Sequence, residues 1–247
     1  MSAITSVDSR QRRTAQKLHH PQHRYATVGK TLGVLALLVV AVFDLFQSVI
    51  RPWHSRWGAT EQEVSMLLPG DELVPPSDSL TRAVTIKAPA SGVFPWLVQM
   101  GWERGGLYSY AWLENLMGLG FVNADRIHPE WQNTQAGDLV SMAPPGKAPV
   151  PYTVAQVIPN RAVILGHRTN DGAGWVDSWQ FVLNPVDAHS TRLVLRSRSN
   201  LSDSSMRTLF AVIEPGVFLM ERGMLLGIKE RAEANDRMIN QPMGKYP

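Results

Sequence analysis

EPGVFLMERGMLLGIKERAEANDR, residues 214–237, is the stretch on which the fold turns. Ile213, Val217, Met220, Met224 and Ile228 recur at helical spacing, and Leu219, Leu225 and Leu226 widen the stripe. Pro215 belongs near a helix start, so within a helical region over 206–234 the continuous helix is expected from about Glu214. Residues 229–237 turn polar and are expected to leave for solvent. A long terminal helix with one apolar side must be covered by another layer.

Working back from that helix, five short segments carry strand signals: 138–143, 152–158, 162–166, 178–183 and 191–199. Turn formers separate them, with hairpins expected at Pro159-Asn160 and at 187–190. Consecutive hairpins imply an antiparallel sheet with one wet face and one covered face. Ahead of these, residues 81–88 alternate as a further strand containing Ala83, Val84 and Ile86. Two helices follow. Val93, Trp96, Leu97 and Met100 set the face of the first; Trp112, Leu116 and Leu119 are expected on one side of the second, over 108–119. The element order is strand, two helices, antiparallel strands, one long helix. The expected class is α+β, a curved antiparallel sheet gripping the C-terminal helix, with room between them for an apolar ligand.

The N-terminal part reads differently. Residues 32–50, LGVLALLVVAVFDLFQSVI, contain thirteen Leu, Val, Ile and Phe residues, interrupted only by Asp44, Gln47 and Ser48. At ~1.5 Å per residue the segment spans roughly 28 Å, close to the ~30 Å hydrocarbon core of a bilayer. Trp53 and Trp57 follow where interfacial aromatics are expected. Residues 28–52 are therefore expected to form one transmembrane helix. Arg12, Arg13, Lys17, Arg24 and Lys30 precede it, whereas only Arg51 and Arg56 follow closely. That asymmetry favours a cytoplasmic N-terminus and an extracytoplasmic C-terminal domain. The domain layout expected is a disordered basic tail (1–27), the membrane helix (28–52), a short helix with a Pro-rich connector (53–79) and a ligand-binding domain (80–240). Thr60 and Glu63 have the spacing of a capping box within the connector.

The formal charge of +3 is concentrated ahead of the apolar run, which points to anionic lipid headgroups and away from nucleic acid. The absence of cysteine excludes disulfides, thiolate metal sites and a cysteine nucleophile. HHPQH (19–23) is read as solvated tail, because Pro21 prevents the helix that would align its histidines. No metal and no cofactor is expected. There is no G-x-S-x-G, H-E-x-x-H, phosphate loop or dinucleotide fingerprint, so no catalytic residue is assigned. No feature of the sequence sets an oligomeric state.

RWGATEQEV (56–64), LPGDELVP (68–75), APASGVFPWLVQMGWERGGLYSYAWLENL (88–116), NADRIHPEW (123–131) and FLMERGMLLGIKERAE (218–233) resemble bacterial members of the SRPBCC superfamily. That superfamily comprises START-like and polyketide cyclase-like proteins of helix-grip fold. The resemblance covers roughly residues 56–234, and the membrane helix lies outside the shared region. It implies a helix-grip cavity for a hydrophobic, lipid-like or polyketide-like molecule in a membrane-anchored member. Two further functions stay open: a cyclase, aromatase or hydrolase using the same cavity, and a ligand-free interaction module at the membrane.

The residues expected to line such a cavity are Trp96, Met100, Tyr108, Tyr110, Trp112, Trp131, Trp179, Phe181, Met220 and Met224, because aromatics and methionines together line adaptable apolar spaces. Glu221 and Arg222 lie beside the apolar stripe, where they could orient a polar ligand group. Alternatively they form a structural ion pair, for example with Asp125 or Arg126. Gln99, Glu103, Arg104, Asn115, Asp125 and Arg126 complete the polar candidates. His128 and His167 are the histidines best placed to act as a base.

Overall fold

The computed structural model describes residues 22–75, 78–116, 118–147, 150–200 and 204–240. The chain divides into two units at the Pro52/Trp53 junction.

The first unit is helical. α1 (Gln22–Leu45) starts ahead of the expected position 28, and residues 1–21 of the expected tail, with His19 and His20, lie outside the described residues. A π-helical turn (Phe46–Ile50) follows, then α2 (Arg51–Ser55), which runs across the junction. Pro52 explains the wide turn. It cannot donate to a carbonyl one turn back and its ring presses on that carbonyl, so the preceding helix opens. The Ser48 hydroxyl donates to the Asp44 carbonyl in the same turn. Lys30–Ser55 is one helix long and apolar enough to cross a membrane. Over residues 30–45 its side chains are exposed all round, Leu37 by 70% and Val39 by 67%, whereas His54 near its end is buried.

The second unit is built on a six-stranded, wholly antiparallel curved sheet of order β1-β6-β5-β4-β3-β2. The strands are β1 (Asp78–Ile86), β2 (Leu139–Val140), β3 (Tyr152–Ile158), β4 (Ala162–Gly166), β5 (Asp177–Asp187) and β6 (Ser190–Ser199). Both expected hairpins form. Asn160 takes the left-handed conformation (φ 56°) its turn needs, and the Asp187 carboxylate accepts from the His189 N–H and the Ser190 hydroxyl. Between β1 and β2 lie α4 (Ala90–Val98), α5 (Ala111–Leu116) and a 3-10 turn (Pro129–Trp131).

One sheet face meets α4 and α6 (Ser204–Asn240) through Ile86, Trp96, Leu165, Phe181, Leu195, Met224, Leu225 and Ile228. The opposite face was expected to be wet, and here the structure differs. Residues 59–73 cover it, with Leu68 packed on Ala83, Ile164, Val182 and Val194. Strands covered on both faces lose the alternating pattern, as the uninterrupted burial of residues 180–183 shows. The cover is clipped on by Arg196. Its buried guanidinium reaches Thr81 Oγ1 (3.0 Å), Asp71 Oδ2 (2.7 Å) and the carbonyls of Glu63 (2.6 Å) and Met66 (2.9 Å). α3 (Glu61–Ser65) carries the expected capping box. Thr60 Oγ1 accepts from the Glu63 N–H at 3.1 Å, and the Glu63 carboxylate accepts from the Thr60 N–H at 2.8 Å.

Three expectations about helices are corrected. α5 has only six residues and turns the other way, leaving Trp112 67% and Leu116 76% exposed while Glu114 is buried. Left-handed Gly118 and Gly120 stop it before Leu119 can join. α6 runs unbroken through Pro215, its ring exposed, while neighbouring Phe210 and Glu214 face the sheet side. Its polar end does not leave for solvent. Lys229 donates to the Thr85 carbonyl, Glu233 accepts from the Lys87 N–H, and Arg231 donates to the Ala124 carbonyl. α6 also passes very close to residues 108–110. A Cβ on Gly227 would stand 1.9 Å from the Tyr108 carbonyl oxygen, and one on Gly223 would stand 2.8 Å from the Tyr110 ring. Glycine is required at the Gly227 crossing, where the clash is with backbone, whereas a side chain at 223 would have to displace the Tyr110 ring.

Candidate ligand-binding site

A cavity of about 310 Å³ lies between the sheet and the first half of α6. Its apolar wall is Leu80, Leu107, Met142, Tyr152, Trp179, Phe210, Val217, Met220 and Met224. Its polar part comprises Asp78, Asp177, Ser178, Ser197, Arg198, Ser199, Glu214 and Glu221. α4 packs on β4, β5 and β6 of the same face and contacts α6, so the space lies where α6 alone covers the sheet.

Glu221 is the centre of the polar part. Burial of a carboxylate is tolerable only if its oxygens are satisfied. Oε1 accepts from Trp179 Nε1 (2.9 Å) and Ser197 Oγ (3.1 Å), and Oε2 pairs with Arg82 Nη1. Arg82 is itself wholly buried, with its Nε donating to the His54 carbonyl at 2.8 Å. Burial pulls its pKa down to about 10, against the opposing charge of Glu214. The Phe218 ring centre stands 5.2 Å from this guanidinium and 5.2 Å from the His54 ring, which stacks on it. His54 Nδ1 stands 3.7 Å from Glu214 Oε1. Two acids on the cavity face of α6 are thus tied to the strand and to the segment entering the second unit.

At another part of the lining, Asp177 Oδ2 meets His167 Nδ1 at 2.8 Å, and His167 Nε2 faces the Val150 carbonyl at 3.0 Å. Both partners are acceptors only, so the doubly protonated imidazolium satisfies both. The Asp177 hydrogen bond therefore raises the His167 pKa above 6.5, with burial opposing it. Stability from this pair is fully present below the unfolded value of about 6.5 and fades as pH rises through the higher folded value. Asp177→Asn should lower the His167 pKa and flatten that dependence. Histidine NMR titration reads both, and an unmoved His167 would refute the assignment. The Tyr152 ring lies tilted against the His167 ring, 3.9 Å between centres, and the Tyr152 pKa is pushed up by burial and by the Asp177 charge.

Of the residues singled out from sequence, Trp179, Met220, Glu221 and Met224 come together in this cavity. Trp96, Met100, Tyr108 and Phe181 sit in the packed core. Trp112 is on the surface. Tyr110 and Arg222 meet each other on another side of α6, where Arg222 also lies 5.1 Å from the Trp57 ring centre. Neighbouring positions on a helix diverge by ~100°, so Glu221 and Arg222 cannot act as a pair. Neither pairs with Asp125 or Arg126. Trp131 stacks on His128 in a separate surface cleft with Glu103, Arg104, Asp125 and Arg126. Gln99 and Asn115 hold loops: Gln99 bonds the backbone of Arg126 and His128, and Asn115 clamps both backbone groups of Phe121. Sequence reasoning missed Arg82. Its signal was there: alternation places Arg82 on the same strand face as Leu80, Val84 and Ile86, where a charge demands a partner.

No protein-family model and no curated protein matches the chain. Among solved structures it is similar to the Aha1 dimer from Colwellia psychrerythraea at 18% identity, over 63% of this chain and 96% of that one, with a TM-score of 0.37. It is also similar to a Thermobifida fusca protein at 16% identity, over 63% and 93%, with a TM-score of 0.40. A third is DynU16, a putative protein in the dynemicin biosynthetic locus, at 12% identity over 61% and 47%, with a TM-score of 0.37. Likenesses of this size say nothing of activity or ligand.

Proposed function

We propose that this chain is a membrane-anchored member of the SRPBCC superfamily that binds or carries a hydrophobic, lipid-like or polyketide-like molecule beneath α6. The cavity of about 310 Å³ carries the reading, since methionine, leucine, valine and aromatic side chains make up about half of its lining and polar groups held by other protein groups, Glu221 and Asp177 among them, make up the rest. The Trp179, Met220 and Met224 side chains hold the apolar body, and the Glu221 end orients a polar group. The anchor rests on a separate argument. A helical stretch apolar and exposed on all sides, as residues 30–45 are, needs a nonpolar surrounding, and a bilayer supplies one. The excess of Lys and Arg before it favours a cytoplasmic N-terminus and an extracytoplasmic domain over 80–240.

A carrier is favoured over a cyclase or hydrolase because the ionisable groups at the cavity are already engaged. Glu221 has three partners, Asp177 is paired with His167, and Arg198 is paired with Asp71. A ligand-free interaction module is disfavoured because it would not need an open interior. Native mass spectrometry of the full chain in detergent should show a bound apolar adduct, or uptake of the neutral probe N-phenyl-1-naphthylamine. Met220→Trp, which fills the space, should weaken retention at least tenfold with little change in melting temperature. A wild-type chain that holds neither adduct nor probe would sink the idea.

A further inference from the structure

The cavity beneath α6 is unbalanced in charge. Among the described residues, four carboxylates line it, Asp78, Asp177, Glu214 and Glu221, against one guanidinium, that of Arg198. Arg198 is itself matched by an acid behind it: its Nη1 donates to the Asp71 carbonyl at 2.6 Å and stands 3.3 Å from Asp71 Oδ1. Arg82 is matched in the same way by Glu221. With Asp71 and Arg82 counted, five carboxylates stand against two guanidiniums, so protonating both His54 and His167 still leaves the set negative. In a partly enclosed space with apolar walls such an excess is focused on whatever enters.

Hydrogen-bonding capacity points the same way. An ionised carboxylate offers about four acceptor positions and no donor. Among the described residues Glu221 uses three, two on Oε1 and one on Oε2. Asp177 uses two, with the His167 N–H on Oδ1 and His167 Nδ1 on Oδ2, both at 2.8 Å. Acceptor positions therefore stay open. The matching donors do not: Arg198 Nη1 is committed to Asp71, and its Nε is covered by protein, out of a ligand's reach. Tyr152 and Trp179 stand 5.6 Å apart in the same lining, and aromatic rings attract an ammonium where they do not attract a carboxylate.

We infer that the hydrophobic ligand of this cavity carries a basic nitrogen, protonated when bound, and no acid group. The inference rests on the binder reading and deepens it by naming the ligand class, an apolar amine. Its apolar body lies against Met220, Met224 and Leu107, and its ammonium fills the acceptor positions that Glu221 and Asp177 leave open. A volume of about 310 Å³ is at the low end of the ~300–1,000 Å³ common for small-molecule sites, so the amine is compact.

Three compounds with one ring system isolate the head group: naphthylethylamine, naphthylethanol and naphthylacetic acid. At neutral pH the first is a cation, the second neutral and the third an anion. Each is titrated against N-phenyl-1-naphthylamine bound to the full chain in an uncharged detergent, so that the micelle favours none of them by charge. The amine should displace the probe at least fivefold more tightly than the acid, with the alcohol between. A smaller gap, or a preference for the acid, overturns the inference and leaves the cavity reading standing. If neither the probe nor any of the three binds, the cavity reading fails and this inference with it. Glu214→Gln removes one lining charge at constant size and should narrow the amine's advantage over the alcohol several-fold. Equal weakening of amine and alcohol would mean that the carboxylate only shapes the cavity, and it overturns the inference. The comparison on the unaltered chain decides by itself if that variant does not fold.

Discussion

Replacing Arg82 with methionine is expected to destabilise the full chain by about 3–5 kcal/mol at neutral pH, the usual cost of breaking a buried pair from one side. Methionine keeps most of the volume, so the loss comes mainly from Glu221, which stays buried with only Trp179 and Ser197 as donors. An isolated carboxylate in a dry site holds its proton to higher pH. The penalty should therefore shrink as pH falls through the new, raised Glu221 value. Arg82→Met combined with Glu221→Gln should recover most of the stability, since removing both charges is commonly close to neutral. Thermal and urea unfolding in detergent, followed by near-UV circular dichroism, gives all three numbers. A single-variant loss below about 1 kcal/mol would mean the pair does not tie α6 to β1.

Trp96→Ala is the second large effect, about 3–5 kcal/mol, as expected for emptying the space of a buried tryptophan. Trp96 is 1% exposed, packed edge-on to Tyr108 at 5.7 Å, and its Nε1 has no hydrogen-bond partner among the described residues. Trp96→Phe should accordingly cost much less than alanine, because it gives up ring volume but also removes an unsatisfied donor. Neither change should alter ligand retention in molecules that remain folded, since Trp96 stands outside the cavity lining. The contrast is Trp179, which lines the cavity and donates to Glu221. Trp179→Phe should weaken retention with a smaller loss of stability. Equal effects of Trp96 and Trp179 substitutions on retention would contradict this division.

These two tryptophans show where reading the chain stops. Both are large aromatics in apolar segments, and nothing local separates them. Trp96 faces inward because α4 packs on β4, β5 and β6; Trp179 borders the space left between the sheet and α6. The Arg82–Glu221 pair joins residues on β1 and α6, so spacing along the chain carries no trace of it beyond the demand that a charge on an apolar strand face find a partner. α5 misled for a different reason. With six residues between left-handed turns, it is too short for periodicity to define a face, and Glu114 was buried in place of Trp112 and Leu116.

The sequence by itself determined the elements whose causes are local. The antiparallel hairpins follow from turn residues, the Thr60–Glu63 cap from a spacing of three, and the long helices from periodicity and length. Tertiary structure alone decided which face of each element is inside, that the second sheet face is covered, and where the cavity lies. The physical reason is range: turns, caps and helical periodicity act within a few residues, whereas burial and ion pairing depend on surfaces brought together from distant parts of the chain.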